Sequence, residues 1–541
     1  MKYAPLPRRS LGEGWGLPRR SLGEGWVTIA AVVALTSVAP AQQSAVFQEP
    51  QLATSRHQIR INGSALSYTA RIGLIPIRHN DTGEVRGHFG FISYSLDRAA
   101  GQPARPLIFL WNGGPGANST TVHFTGFGPR RLRSPDDPAR PAPVVTELSD
   151  NDATWLTFAD LVFVDPVGTG FARPAKPEFA AEFYNTLGDL ASTAEFIRTF
   201  RIRFDLLNAP FFLAGESYGT WRAAGAAELL ERTGVRPAGV ILISGGLAMG
   251  PAAPDAIRTA LYVPARTATA FYHKALAPEL LEDEPAAIAA AQKWALEVYA
   301  PAWEKRESLS DAERDRIIAG LAKYTGVPAS SIDRATLGMT SPQFTSTLLR
   351  DRGVTLGRYD MRVLQGGGAG GGGATGGDGA ARNQILLRYL RETLGFKTDL
   401  TYQGLETGWS AAPGNRGSGP GSRWVWNQGD AALASGTDAA QQANRAAVGS
   451  GDGPPGGSQP WMRRAIALDP QLKLFVAAGK YDSLNSCPDL EWSVAHLDAA
   501  VTKNVSLGCY AGGHMMYDTK AARFSLRDDV AAFVKARQQP R

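Results

Sequence analysis

A serine between two glycines, where a strand pattern turns into a helix pattern, is the feature of this sequence with the clearest chemical use. In "FFLAGESYGTWRAAGAAELL", residues Phe211 to Leu230, an apolar run meets Gly215-Glu216-Ser217-Tyr218-Gly219, and an Ala-rich helical pattern follows. A G-x-S-x-G turn in that context holds the serine hydroxyl out from the backbone and needs small residues on both sides. The N-terminus of the helix behind it favours negative charge developing at the site. The chemistry implied is attack on a carbonyl. A serine hydroxyl is a weak nucleophile near neutral pH, so a base must take its proton and a carboxylate must orient the base.

In this arrangement the partners follow the serine in the order acid, then histidine. The seven histidines are His57, His79, His88, His123, His273, His496 and His514, and only the last two lie where strand patterns resume near the C-terminus. His514, in the glycine-flanked "AGGHMMY" just after a strand, is the expected base. His496, in the helical "EWSVAHLDAA", reads as a surface or packing residue. Asp482, just past the strand "LKLFVAAG", is the expected acid, while Asp489 and Asp498 fall farther into a loop or helix. A tetrahedral oxyanion needs two backbone N–H donors. One belongs to Tyr218, the residue after the nucleophile; the other is expected from the Gly-rich "WNGGPG", Trp111 to Gly116.

The elements that must position these residues are legible as patterns. "HQIRINGSALSYTARIG" alternates around an Asn-Gly turn and "GHFGFISYSL" alternates again, predicting β-hairpins from Arg56 to about Ser95. "RPLIFLWNGGPG", "ADLVFVDPVGTG", "PFFLAG" and "RPAGVILISGG" are apolar runs of the buried-strand kind, with helical patterns between them. That alternation predicts a parallel sheet covered on both faces. From residue 251 to 465 the pattern is largely helical, interrupted by the glycine run 366–379 and the Gly/Ser-rich 409–460, and it reads as a cap inserted into a core spanning 42–250 and 466–541.

Composition sets the class. Of 541 residues, 44% are hydrophobic and 20% charged, ordinary for a globular protein. The net charge of +6 owes +3 to residues 1–41, where five basic residues face two acidic ones, and no basic stripe follows. Nucleic-acid binding is thereby disfavoured. "LPRRSLGEGW" occurs twice in succession at the N-terminus, and the repeat is assigned no fold. The apolar stretch 27–41, ending Ala39-Pro40-Ala41, reads as a secretory signal cleaved near Gln42, with an uncleaved anchor as the alternative. Export means an oxidising compartment, where the only cysteines, Cys487 and Cys509, pair or remain two buried thiols. A bridge there would tie the loop of Asp482 to that of His514.

Taken together, "WNGGPGANS", "TWLTFADLVFVDPVGTGF", "GESYG", "GKYD" and "GGHMMY", in this order, resemble the serine carboxypeptidases, peptidase family S10 of the α/β-hydrolase superfamily. The resemblance spans about residues 56–250 and 466–525. It implies an α/β-hydrolase fold: a mostly parallel central sheet flanked by helices, with a largely helical cap insertion. It implies Ser217, Asp482 and His514 as the catalytic triad and the Gly114 and Tyr218 N–H groups as the oxyanion hole. It further implies that Asn112 and Glu216 hydrogen-bond the free C-terminal carboxylate of a peptide substrate, which requires a protonated Glu216 and so favours acidic pH. Eukaryotic members carry a second glutamate where this chain has Gly126; Arg130 or Arg131 is a possible substitute. The cysteine that follows GGPG in the family is Ala117 here.

The expected activity is an exported, acyl-enzyme-forming carboxypeptidase acting on peptides, with no cofactor or metal, no nucleic acid and no stable membrane partner. An esterase or acyltransferase on the same scaffold and a catalytically silent envelope protein are the alternatives.

Overall fold

The computed structural model describes residues 52–97, 101–135, 145–250, 253–366, 379–407, 419–427 and 459–537. The duplicated leader, the apolar stretch 27–41, most of the glycine run and most of the Gly/Ser-rich region lie outside the described residues. Nine strands form one sheet: β1 (Ala53–Ile61), β2 (Ser64–Arg78), β3 (Val85–Leu96), β4 (Leu107–Trp111), β5 (Asp160–Asp165), β6 (Phe211–Glu216), β7 (Gly239–Ile243), β8 (Leu474–Gly479) and β9 (Val505–Tyr510). Their spatial order is β1-β2-β3-β5-β4-β6-β7-β8-β9. The pairs from β1 to β5 are antiparallel, and every pair from β5 to β9 is parallel.

Local sequence accounts for much of this. Asn62 and Gly63 join β1 to β2 with φ of 50° and 81°, the left-handed pair that an Asn-Gly hairpin turn requires. In the parallel half, alternate residues go to opposite faces. Leu107, Phe109 and Trp111 of β4 join one large apolar cluster with Phe211 and Leu213 of β6 and Val240 and Leu242 of β7. On this face lie α1 (Thr186–Arg203) and α2 (Gly219–Arg232). On the opposite face α8 (Lys520–Lys535) stacks Phe533 against Phe212 and Phe475. With both faces covered, the strands are continuously apolar, as the runs predicted. This is the α/β-hydrolase fold.

Between β7 and β8 lie the helices α3 (Asp255–Tyr272), α4 (Glu284–Trp294) and α5 (Asp311–Thr325), which share an apolar cluster of their own. The start and stop of α5 are written locally. Ser310 and Glu313 form a reciprocal capping box, and Gly326 ends the helix at φ 73°. The core resumes earlier than the expected residue 466. The helix α6 (Trp461–Leu468) packs Trp461, Met462, Ala465 and Ile466 into the core cluster. Its apolar residues sit next to Gly/Ser-rich sequence, which obscures the boundary. The short segment 419–427 also docks on the core: Val425 N–H donates to the Tyr184 carbonyl (3.0 Å) and its own carbonyl accepts from Thr186 N–H (3.2 Å).

One buried ion pair ties the helical layer to the strand ends. Arg222 of α2 and Asp189 of α1 meet at 2.9 Å with side chains 0% and 3% exposed. Arg222 also donates to the main-chain carbonyl of Asn112 (2.8 Å), and Asp189 accepts from the Tyr218 hydroxyl (3.1 Å). Breaking a buried pair by removing one partner costs about 3–5 kcal/mol, because the other charge is left uncompensated. Asp189→Ala should therefore lower unfolding free energy by about that much. Asp189→Ala with Arg222→Met should recover a large part of the loss. Denaturant titration of the three proteins checks both.

Candidate active site

The nucleophile turn follows from close packing at the end of β6. Ser217 has φ 57°, a left-handed conformation that non-glycine residues rarely adopt. It is held there by Ser217 N–H donating to the Ile243 carbonyl of β7 (2.8 Å) and by the Ser217 carbonyl accepting from the Thr220 hydroxyl (2.8 Å). The glycines are required because the chain crosses itself. A Cβ on Gly215 would stand 1.9 Å from the carbonyl oxygen of Gly219, and one on Gly219 would stand 2.8 Å from the Trp111 ring. Trp111 Nε1 donates to that same Gly219 carbonyl (2.9 Å) and locks β4 to the turn.

The Gly-rich loop after β4 lies directly on this turn. A Cβ on Gly113 would meet Tyr218 N at 2.5 Å and Ser217 Cβ at 2.9 Å. This contact puts the next residue, Gly114, beside Tyr218. Both line a cavity of about 440 Å³ together with Ser217 and His514. Neither the Gly114 nor the Tyr218 amide donates to another group among the described residues. Two unused donors therefore flank the serine, next to the N-terminus of α2.

The acid and base loops are joined to each other before they meet the serine. Lys480 N–H donates to the Tyr510 carbonyl (2.8 Å) and Tyr481 N–H to that of Gly512 (2.9 Å). A Cβ on Gly479 would stand 1.9 Å from the Gly513 carbonyl oxygen, so the approach depends on the absent side chain. Asp482 Oδ2 lies 2.8 Å from His514 Nδ1, with both side chains almost wholly buried. Asp482 Oδ1 accepts from Leu484 N–H (2.8 Å). The carboxylate thus keeps the neutral imidazole proton on Nδ1 and leaves Nε2 as an acceptor. Burial disfavours the charged imidazole, but the Asp482 carboxylate and its hydrogen bond outweigh that and hold His514 above its ordinary value. The helical insertion contributes too: His514 N–H donates to the Tyr359 carbonyl (2.5 Å), and the two rings lie 5.5 Å apart.

Asn112 and Glu216 occupy the same cavity. Asn112 Nδ2 donates to Glu216 Oε1 (3.1 Å), while Asn112 Oδ1 accepts from Val122 N–H (3.1 Å). The other Glu216 oxygen accepts from the Tyr517 hydroxyl. Burial pushes the Glu216 carboxyl up to about 7, against the pull of the His514 charge and of these hydrogen bonds. A carboxyl that is half protonated near neutrality, beside a serine and a histidine, is an uncommon arrangement with a clear chemical use.

The structure thus gathers Ser217, Asp482, His514, Gly114, Tyr218, Asn112 and Glu216 at one place. The other residues weighed from sequence lie elsewhere. His496 stacks on Trp492 at the end of the helix α7 (Cys487–Ala495), and Asp498 pairs with Arg463. Arg130 pairs with Asp150 at 2.5 Å, Arg131 is buried, and neither lines the cavity. Cys487 and Cys509 are bridged, with Cα atoms 6.0 Å apart, joining the start of α7 to β9.

A family model described as serine carboxypeptidase matches residues 81–283. Over this stretch the chain is similar to the serine carboxypeptidase family. A retinoid-inducible serine carboxypeptidase of Rattus norvegicus is 29% identical over 172 residues, which is 31% of this chain and 35% of that protein. A pheromone-processing carboxypeptidase KEX1 of Arthroderma otae is 36% identical over 140 residues, 25% of this chain and 19% of that protein. The chain therefore matches well under two thirds of the length of these relatives. The crystal structure of KEX1(delta)p, a prohormone-processing carboxypeptidase from Saccharomyces cerevisiae, aligns with TM-score 0.51 at 16% identity. That alignment covers 86% of this chain and 91% of that one, and it bears on the fold.

Several residues at the site carried no sequence signal strong enough to single them out. Tyr517 closes the "GGHMMY" run already noted for His514, but nothing local marks it as a partner of Glu216. Gly126, at the position where eukaryotic members carry a second glutamate, lies against the Tyr517 ring: a Cβ there would stand 3.2 Å from Tyr517 Cδ2. Trp426, from the docked segment 419–427, lines the cavity with Tyr218 and Trp221. Two tryptophans in Gly/Ser-rich sequence were the available clue. The Cys487–Cys509 bridge closes a loop of 22 residues, so replacing both cysteines by serine should cost about 3 kcal/mol. Thermal melts with and without reductant would register the loss in the parent protein and none in the double variant.

Proposed function

We propose that this chain is an exported serine carboxypeptidase that removes C-terminal residues from peptides through an acyl-enzyme. The observation that carries the reading is the buried Glu216 carboxyl, raised to about 7 and paired with Asn112 in the cavity of Ser217 and His514. A protonated carboxyl donates a hydrogen bond to a carboxylate; an ionised one repels it. Beside a nucleophile, that donor and the Asn112 amide suit the free terminus of a peptide. Export is supported by the apolar stretch 27–41 and by the single disulfide.

In this mechanism His514 Nε2 takes the Ser217 proton as Oγ attacks the carbonyl carbon of the last peptide bond. Asp482 holds the imidazole and stabilises its charged form. The Gly114 and Tyr218 N–H groups receive the oxyanion. His514 then protonates the leaving amine, the shortened peptide remains esterified to Ser217, and water activated by His514 releases it. The Ser217 hydroxyl makes no hydrogen bond among the described residues, and such contacts often tighten only when substrate binds.

Two titrations bound the activity. His514 must be neutral to act as base, so kcat falls for every substrate below its raised pKa. Glu216 must be protonated to bind a free carboxylate, so KM for peptide acids rises as pH passes about 7, while KM for amides and esters does not. Hydrolysis of a blocked dipeptide, its C-terminal amide and its ester across pH 5 to 9 tests this. Glu216→Gln should flatten the KM profile of the free acid, and Ser217→Ala should lower kcat by about four orders of magnitude or more. Equal handling of acid and amide, or cleavage of simple esters alone, would favour the esterase reading. No turnover and no labelling of Ser217 by a fluorophosphonate would favour a silent protein.

A further inference from the structure

Both oxygens of the Glu216 carboxyl are engaged from within the protein, Oε1 by Asn112 and Oε2 by the Tyr517 hydroxyl. That hydroxyl also interacts with Asn112, so three side chains close a triangle at one end of the cavity. Tyr517 is fully buried, with its ring against Phe127 (centroids 4.8 Å apart) and over Gly126. A Cβ at position 126 would stand 3.2 Å from this ring, so a side chain there would require the ring to shift slightly. Burial raises the phenol well above its ordinary range, so it remains a hydrogen-bond donor through neutral pH.

We propose that Tyr517 is the positioning residue for recognition of the substrate's terminal carboxyl: it holds Glu216 so that carboxyl and Asn112 amide are presented together. This rests on the carboxypeptidase reading above. A second carboxyl would share a proton with Glu216; the Tyr517 phenol donates to Glu216 here, and that bond favours the ionised form. The other groups facing Glu216 act in known directions. The His514 charge and the Asn112 amide also favour ionisation, while the half-buried Asp518, itself raised to about 6, opposes it. Without the Tyr517 hydroxyl, Glu216 loses one of the groups that stabilise its charge and stays protonated to higher pH.

Tyr517→Phe keeps the ring and its packing and removes only the hydroxyl. KM for a blocked dipeptide acid should then rise about threefold to tenfold at pH 5.5, because the carboxyl is no longer oriented. The pH at which that KM climbs should move upward by about one unit. Kinetics on the C-terminal amide should not change. In a Ser217→Ala background, infrared difference spectra of the protein carrying labelled glutamate, read against Glu216→Gln, should show the same upward move of the Glu216 midpoint without any turnover. In the Glu216→Gln background, adding Tyr517→Phe should leave the pH profile where it was. Equal damage to acid and amide, or an unmoved Glu216 midpoint, would reduce Tyr517 to packing and overturn the proposal. If the unaltered protein does not prefer the free acid, the carboxypeptidase reading falls and takes this inference with it.

Discussion

The left-handed backbone of Ser217 is the constraint on which the site depends. A serine at φ 57° is held in an unfavourable conformation by its neighbours: the Ile243 carbonyl takes its N–H, and Trp111 grips the carbonyl of Gly219. That grip requires β4, β6 and β7 to lie side by side in parallel register, so that their C-terminal ends finish at one edge. The Gly-rich loop leaving β4 then has one place to go, across the turn, and its Gly114 amide arrives beside that of Tyr218. The sheet thus brings two backbone N–H groups beside Ser217 as a by-product of holding the serine.

Around this turn the protein buries several ionisable groups, and each is given a different fate by its partners. Asp189 faces Arg222 as a closed ion pair that holds the Asn112 carbonyl and the Tyr218 hydroxyl from behind. Asp482 faces His514 and favours its charged form, which the reaction requires transiently. Glu216 has hydrogen-bond donors but no fixed cation, so burial prevails and its carboxyl titrates near neutrality. The three carboxylates differ in environment rather than in chemistry, and that difference gives each a different electrostatic state.

The rest of the cavity is built by segments that are distant in the chain. The helical insertion delivers Tyr359 to the base loop through one backbone hydrogen bond, and the segment 419–427 lays Trp426 against Tyr218 and Trp221. The candidate site residues gather at the sheet edge, and the insertions supply part of the cavity wall.

What the sequence determined by itself was whatever depends on neighbours along the chain. The Asn-Gly hairpin, the capping box of α5, the continuously apolar strands and the strand-to-helix turn at Ser217 are all short-range signals, and each appears where its residues stand. The order serine, acid, histidine, with a glycine-flanked loop after the last strand, pointed to Asp482 and His514, which lie in hydrogen-bond contact. Tertiary structure decided the rest. Tyr517 meets Glu216 across 301 residues, Trp111 meets Gly219 across 108, and Arg222 reaches the Asn112 carbonyl across 110. No periodicity or turn chemistry encodes such pairs, because they arise only when parallel strands bring remote loops to the same edge. The start of α6 at Trp461 escaped for the same reason: its apolar face acquires meaning only against α2.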